Sequence, residues 1–281
     1  VPDGVKMFPQ YLREIGYYTT NNEKEDYNFK KTDGVWDESS PKANWRNRKI
    51  NQPFFSVFNF GITHESQIWR QGDQPLLVDP EILSVPPIFP DSPEVRKDLA
   101  VNYSNLIRLD KQIGKVIEQL KAEELYENSI IFFYGDHGGP FPRYKRALYE
   151  TGIKVPLIVK FAGQEKAGTI NNDFISFIDF APSVLSLAGI KTPEVMQGKA
   201  HFGPYQVAEK PEFIFTSSDR FDEQIDRLRA VRYGNFKYIR NFNTKISNAI
   251  PVAYREQMRM MQYLNKLWEA QELETDVAAW F

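Results

Sequence analysis

The chain contains no cysteine among its 281 residues. It can therefore form neither a disulfide nor a thiolate metal site, although this absence assigns no compartment, because exported proteins of bacteria often lack cysteine too. Its formal net charge is only −2, which gives no reason to expect nucleic acid or an anionic membrane as a partner. No apolar run approaches the roughly 20 residues of a membrane-spanning helix.

What is present is the composition of a globular protein, with 42% hydrophobic and 26% charged residues. Apolar positions at helical spacing predict a long amphipathic helix over residues 95–123, which leads into an apolar strand over 130–134. A second apolar strand is predicted over 155–159 and a shorter helix over 180–188. This alternation predicts an α/β fold whose sheet carries helices on both faces.

Within the first part of the chain, a proline-rich segment over 73–93 predicts an irregular surface excursion. The alternation of strands and helices ends at about residue 210. Beyond residue 210, short strands and a final helix are predicted, over residues 213–215, 228–233, 236–239 and 254–268. We therefore predict an α/β core in residues 1–210 and a smaller subdomain, an antiparallel sheet with a helix, in residues 211–281.

Residues that could take part in catalysis or metal binding lie next to two of the predicted apolar strands. Asp136 and His137 come directly after the 130–134 strand, and Lys145 lies shortly before the 155–159 strand. Open α/β sheets place their chemistry where strands run out into loops. The sequence therefore predicts a carboxylate, an imidazole and a cation in one region.

The string G-D-H-G-G followed by K-x-x-L-Y-E-x-G-x-x-V-P-L-I-V resembles the type I sulfatases of the alkaline phosphatase superfamily, in the carbohydrate or heparan-sulfatase-like branch. The resemblance implies an alkaline-phosphatase-like fold, with a central mixed or mostly parallel sheet flanked by helices and a small C-terminal antiparallel sheet plus helix. It also implies that Asp136 and His137 ligate a divalent cation and that Lys145 holds a sulfate oxygen.

Two further segments extend the resemblance. The apolar stretch 53–63 is similar to the family's strand before its active-site histidine, so His64 would touch the ester and assist the leaving group. The stretch 8–24 is similar to the lead-in to the family's G-K-W-H segment. Lys24 takes the place of its lysine, while Asp26 stands where the histidine would be.

The main departure from the family is the absence of a C-x-P-S-R or S-x-P-S-R segment, whose first residue becomes the formylglycine nucleophile. The pair of metal-binding aspartates near the family's N-terminus is missing too. Because Val1 opens in what resembles a segment just before the first helix, we expect a fragment that starts after both motifs. We expect this chain alone to be inactive and to bind metal weakly.

The two residue types leave the identity of the metal undecided, because the Asp136 carboxylate suits Ca²⁺ or Mg²⁺ while an imidazole such as His137 suits Zn²⁺ or Mn²⁺. The resemblance favours Ca²⁺. Simpler interpretations exist for each residue: a loop-capping aspartate beside a hydrogen-bonded histidine, solvated lysines, and a core histidine at position 64.

The function implied by the resemblance is hydrolysis of carbohydrate sulfate esters through a metal-assisted formylglycine mechanism, with a sulfated carbohydrate as partner. It also implies export to the periplasm or the cell exterior. The alternatives are a phosphodiester or phosphonate hydrolase of the same superfamily and a non-catalytic truncated member, which the nucleophile segment would distinguish.

Overall fold

A computed structural model describes residues 5–30 and 32–281; Val1, where the expected fragment begins, lies outside them. The α-helices are α1 Phe8–Glu14, α2 Ser66–Arg70, α3 Pro93–Ala122, α4 Glu150–Ile153, α5 Phe180–Leu187, α6 Arg259–Glu269 and α7 Thr275–Ala278. The strands are β1 Tyr18–Asn22, β2 Glu38–Ser39, β3 Phe54–Phe58, β4 Ile131–Tyr134, β5 Leu157–Lys160, β6 Phe213–Phe221, β7 Gln224–Tyr233 and β8 Phe236–Asn241. In the described part of the chain, no helix combines the length and apolar character that crossing a membrane requires.

The long helix predicted over 95–123 is confirmed as α3. It begins where the sequence offers a cap: the Ser92 hydroxyl accepts a hydrogen bond from the Val95 amide at 3.3 Å, and Pro93 occupies the first helical position. The proline-rich segment before it contains only one short 3₁₀ turn, Pro80–Ile82. The predicted surface excursion is therefore irregular in the structure as well.

The chain divides into two compact units, Val1–Asn59 with Asn171–Ile214, and Phe60–Ile170 with Phe215–Phe281. The first unit contains a parallel sheet of order β2-β1-β3. The middle strand buries Thr19 and Thr20, and their hydroxyls are satisfied, for example by a 2.8 Å bond from Thr20 to the Ser56 hydroxyl. Buried polar side chains in a central strand require such partners.

The second unit contains the helix α3, the antiparallel pair β4-β5, the β6-β7-β8 sheet and the helix α6. Its core joins α3 to α6 through Leu99, Met258, Met261 and Leu264, all of which are buried. The two methionines are thus core residues. The strands predicted over 228–233 and 236–239 form an antiparallel hairpin: β7 pairs with β8 across a turn at Gly234, whose φ of +52° suits glycine.

A parallel sheet, flanking helices and a C-terminal antiparallel sheet together confirm the predicted fold class. The predicted division into residues 1–210 and 211–281 follows sheet type rather than compactness and stays a prediction.

Candidate active site

His64 lies in the second unit, between the 3₁₀ turn Gly61–Thr63 and helix α2. Its imidazole is half-buried and has polar neighbours at both ring nitrogens. Nδ1 lies 2.9 Å from the Ser66 hydroxyl, and Nε2 lies 3.2 Å from the Lys145 ammonium. The ring also meets the edge of the Tyr254 ring, with centroids 6.0 Å apart. These contacts differ from those of a histidine enclosed in an apolar core.

Lys145 reaches the same place from a distant part of the chain. Its Nζ lies 3.2 Å from His64 Nε2 and 2.8 Å from Glu65 Oε1, and its side chain is 19% exposed. It is therefore not an ordinary solvated surface lysine. The structure brings His64 and Lys145 together, and their catalytic roles stay a prediction.

Glu65, directly after His64, is the site residue that the sequence analysis missed. Its side chain is 1% exposed, and its two oxygens accept hydrogen bonds from the two Arg146 NH groups at 2.8 and 2.7 Å. Burial opposes ionisation, but the hydrogen bonds from Arg146 and Lys145 outweigh it and hold the pKa of Glu65 below its ordinary value. In the sequence, the only signal for this role was the position of Glu65 next to His64, and that position does not show that the carboxylate is buried.

Asp136 and His137 lie in the loop after β4. The Asp136 side chain is 69% exposed, and its Oδ1 lies 3.7 Å from His137 Nε2. His137 Nδ1 lies 2.7 Å from the Gly138 carbonyl oxygen. The two side chains are therefore adjacent, with the carboxylate open to solvent.

The glycines that follow tie this loop to the Lys145 segment. The Gly138 amide donates to the Gly152 carbonyl at 2.8 Å, and the Lys145 amide donates to the Gly139 carbonyl at 3.1 Å. A Cβ at position 138 would lie 1.8 Å from the Thr151 carbonyl oxygen, so only glycine fits this approach. The spacing between the D-H-G-G and L-Y-E sequences thus reflects direct backbone packing.

The donors present do not by themselves make a complete metal site. Among residues 5–30 and 32–281, no cluster of three or more His, Asp or Glu side chains could hold a metal ion. Asp136 and His137 offer one carboxylate and one imidazole, whereas Ca²⁺ takes about six to eight oxygen ligands. Metal binding by these two residues stays a prediction.

Lys24 belongs to the first unit, in the loop after β1. Its side chain is 49% exposed, and its Nζ lies 3.8 Å from Asp26 Oδ2. Its backbone carbonyl accepts a hydrogen bond from the Asn21 side-chain nitrogen Nδ2 at 3.2 Å. Its role in catalysis stays a prediction.

The L-Y-E segment after Lys145 is anchored by charge. The Glu150 carboxylate pairs with Arg232 and with Lys237 of the β7-β8 hairpin, the latter at 2.5 Å. The Lys237 ammonium also donates to the Leu148 carbonyl at 2.8 Å. The end of the Lys145 segment is thereby held against the C-terminal sheet of the same unit.

Family models match this chain over most of its length. A model described as Sulfatase covers residues 3–190. The chain belongs to the sulfatase family. A second model, described as N-sulphoglucosamine sulphohydrolase, C-terminal, covers residues 135–276. The resemblance in the D-H-G-G and L-Y-E sequences is thereby confirmed, including its carbohydrate-sulfatase branch.

Two characterised relatives show what this chain is similar to. An ulvan-active sulfatase of Formosa agariphila is 41% identical over 100% of this chain and 53% of its own length. The human N-sulphoglucosamine sulphohydrolase is 26% identical over 70% of this chain and 42% of its own length. The chain thus spans about half the length of the curated relatives it matches.

A solved structure shows the same fold. It is described as BT4656 in complex with its substrate D-glucosamine-2-N,6-O-disulfate, and it superposes with a TM-score of 0.64 over 96% of this chain and 80% of that one. At 15% sequence identity, this likeness concerns the fold alone. It agrees with the alkaline-phosphatase-like architecture predicted from the sequence.

Proposed function

We propose that the protein carrying this chain hydrolyses sulfate esters of carbohydrates. The observation that supports this most is the Lys145 ammonium, 3.2 Å from His64 Nε2 and paired with the buried Glu65. Sulfate ester cleavage requires a positive charge on the sulfate oxygens and a proton for the departing alkoxide. A lysine can supply the first and a histidine the second.

The contacts of Lys145 and His64 indicate how the two side chains would divide these two roles. Because the Lys145 ammonium can only donate, His64 Nε2 is the acceptor in their 3.2 Å contact. At the other ring nitrogen, the Ser66 backbone N–H donates to Nδ1 at 3.3 Å, and the Ser66 hydroxyl lies 2.9 Å from the same nitrogen. A sulfate oxygen would give Lys145 a new acceptor. His64 Nε2 would then take up a proton from solvent water and donate it to the ester oxygen as the bond to sulfur breaks.

The proposed substrate class comes from the relatives. One is named for activity on ulvan and the other for N-sulphoglucosamine, and both names describe sulfatases of carbohydrates. We extend the proposal to an exported protein, periplasmic or extracellular, because a polymeric carbohydrate is met outside the cytoplasm. Cell fractionation would test the location.

The proposal includes a formylglycine nucleophile and a Ca²⁺ ion. These 281 residues contain no cysteine and no S-x-P-S-R sequence, so the nucleophile would come from outside them. Asp136 and His137 would contact the ion, and its other ligands would also come from outside. When bound, the ion would neutralise negative charge on the sulfate group.

The test is release of inorganic sulfate by the intact protein from sulfated oligosaccharides, measured by ion chromatography. Lys145→Ala should lower turnover by about 100-fold or more, which is the scale of losing one preorganised charge at a developing anion. Lys111→Ala, an exposed lysine of α3, is the matched control and should leave turnover unchanged. Near-normal turnover by Lys145→Ala, or hydrolysis of phosphonate esters only, would refute the proposal.

A further inference from the structure

Five side chains form a continuous row in the second unit. Asp222 Oδ2 lies 2.6 Å from an Arg146 NH2, Arg146 binds both oxygens of Glu65, and Glu65 Oε1 lies 2.8 Å from Lys145 Nζ. Lys145 Nζ lies 3.2 Å from His64 Nε2. We propose that Glu65 is a positioning residue that fixes the Lys145 ammonium beside His64, and that Arg146 and Asp222 hold Glu65 in place. This inference rests on the proposed sulfatase function.

Glu65 has few ways to move. A carboxylate that is 1% exposed is costly to bury unless its oxygens are paired and hydrogen-bonded. The planar guanidinium of Arg146 occupies both oxygens at once, which restricts rotation of the carboxylate. Because Oε1 is shared with Lys145, the ammonium takes a position determined by Arg146 and Glu65.

The backbone at Arg146 supports a role beyond packing. Its φ is +75°, in the left-handed region that residues with a side chain seldom adopt. Consecutive side chains of an extended chain point to opposite sides. Here, Lys145 and Arg146 both reach Glu65, and the left-handed turn accompanies that convergence. Unfavourable backbone conformations of this kind concentrate at functional sites.

Asp222 lies between β6 and β7 and links this row to the C-terminal sheet. Its side chain is 36% exposed, whereas the Arg146 side chain with which it pairs is 11% exposed. Nearby, Asp219 of β6 pairs with Arg229 at 2.8 Å, but both of these side chains are at least half exposed. Exposed pairs contribute little to structure. Asp219, an aspartate only three positions before Asp222, therefore offers a matched control.

The test uses the intact protein and the variants Glu65→Gln, Asp222→Asn and Asp219→Asn. The first readout is kcat and KM for sulfate release. Glu65→Gln should lower kcat by about 100-fold with a smaller change in KM, because misplacing one group by about 1 Å costs that much. Asp222→Asn should lower kcat by only about 10-fold, because Asp222 acts on Lys145 indirectly, through Arg146 and Glu65. Asp219→Asn should leave both constants unchanged.

The second readout requires no turnover. The acylation rate of Lys145 by an amine-reactive ester is measured by mass spectrometry, with Lys111 in the same sample as the internal reference. Releasing Lys145 from Glu65 should raise its relative rate several-fold in Glu65→Gln, and less in Asp222→Asn. A residue that only contributes to stability would leave this rate and the kcat of the folded fraction unchanged.

The outcomes separate the two proposals. Normal kcat and normal Lys145 acylation in Glu65→Gln would overturn the positioning role and leave the sulfatase function standing. Absence of sulfate release from the parent protein, with raised Lys145 acylation in Glu65→Gln, would refute the function and support the positioning. If Glu65→Gln does not fold, Asp222→Asn decides, because its carboxylate is partly exposed; unchanged kcat and acylation there would overturn the inference.

Discussion

A buried carboxylate between α3 and α6 should make the stability of this protein depend on pH. Asp98 is 1% exposed in α3, and its Oδ2 accepts a hydrogen bond from the Met260 amide at 2.8 Å, in the first turn of α6. In the described part of the chain, its other oxygen, Oδ1, has no hydrogen-bond partner. Burial raises the pKa of Asp98 from 3.8 to about 6, against the opposing effects of the Met260 amide and of Arg259.

The direction of this pH dependence follows from which state, folded or unfolded, binds the Asp98 proton more tightly. The folded state holds the Asp98 proton up to about pH 6, whereas the unfolded chain releases it near the ordinary value of 3.8. The contribution of Asp98 to the free energy of unfolding should therefore be highest below about pH 4, fall between about pH 4 and pH 6, and then level off. A shift from 3.8 to about 6 corresponds to a loss of about 3 kcal/mol, since one pKa unit is about 1.4 kcal/mol.

The substitution Asp98→Asn tests this reasoning. Asparagine keeps an oxygen for the Met260 amide but cannot ionise, so this fall in stability should disappear. Its amide nitrogen would take the place of the unpartnered Oδ1 at a cost of about 1 kcal/mol or more, which leaves a net gain of about 1 to 2 kcal/mol at pH 7.5.

Urea unfolding of parent and variant from pH 4 to 7.5, compared as a difference, cancels the other titrating groups. Asp110→Asn, an exposed position of α3, is the control and should follow the parent. An Asp98→Asn variant that parallels the parent at every pH would refute the assignment of the raised pKa.

Three further outcomes are expected. His64→Ala should slow hydrolysis of sugar sulfates far more than of activated aryl sulfates, because general acid help grows with the basicity of the leaving oxygen; equal losses on both would argue against a proton donor. The 281-residue chain should bind Ca²⁺ only weakly in calorimetry, since Asp136 and His137 are two ligands of a larger set, and tight binding would contradict this. Gly138→Ala should displace the loop or destabilise the fold, because its Cβ would meet the Thr151 carbonyl; an unchanged melting temperature and unchanged activity would count against that packing.

The elements that the sequence determined by itself are those with local causes. Helix α3 follows from apolar spacing with a serine and a proline at its start, and the β7-β8 hairpin follows from a glycine turn between two apolar runs. The family could be identified because its motifs lie within short stretches around Asp136 and Lys145. Each of these signals is contained in a few consecutive residues, so no knowledge of the tertiary structure was needed.

The tertiary structure alone decided which charges are buried and what they contact. Glu65 meets Lys145 and Arg146 from about 80 positions away in the chain, and Asp98 meets Met260 across a still longer interval. In sequence, both acids are indistinguishable from solvated surface residues. Burial and ionisation depend on the groups that folding brings alongside a carboxylate, and no local pattern encodes those groups. The sequence therefore indicated the chemistry of the site, while the fold determined how its lysine is held.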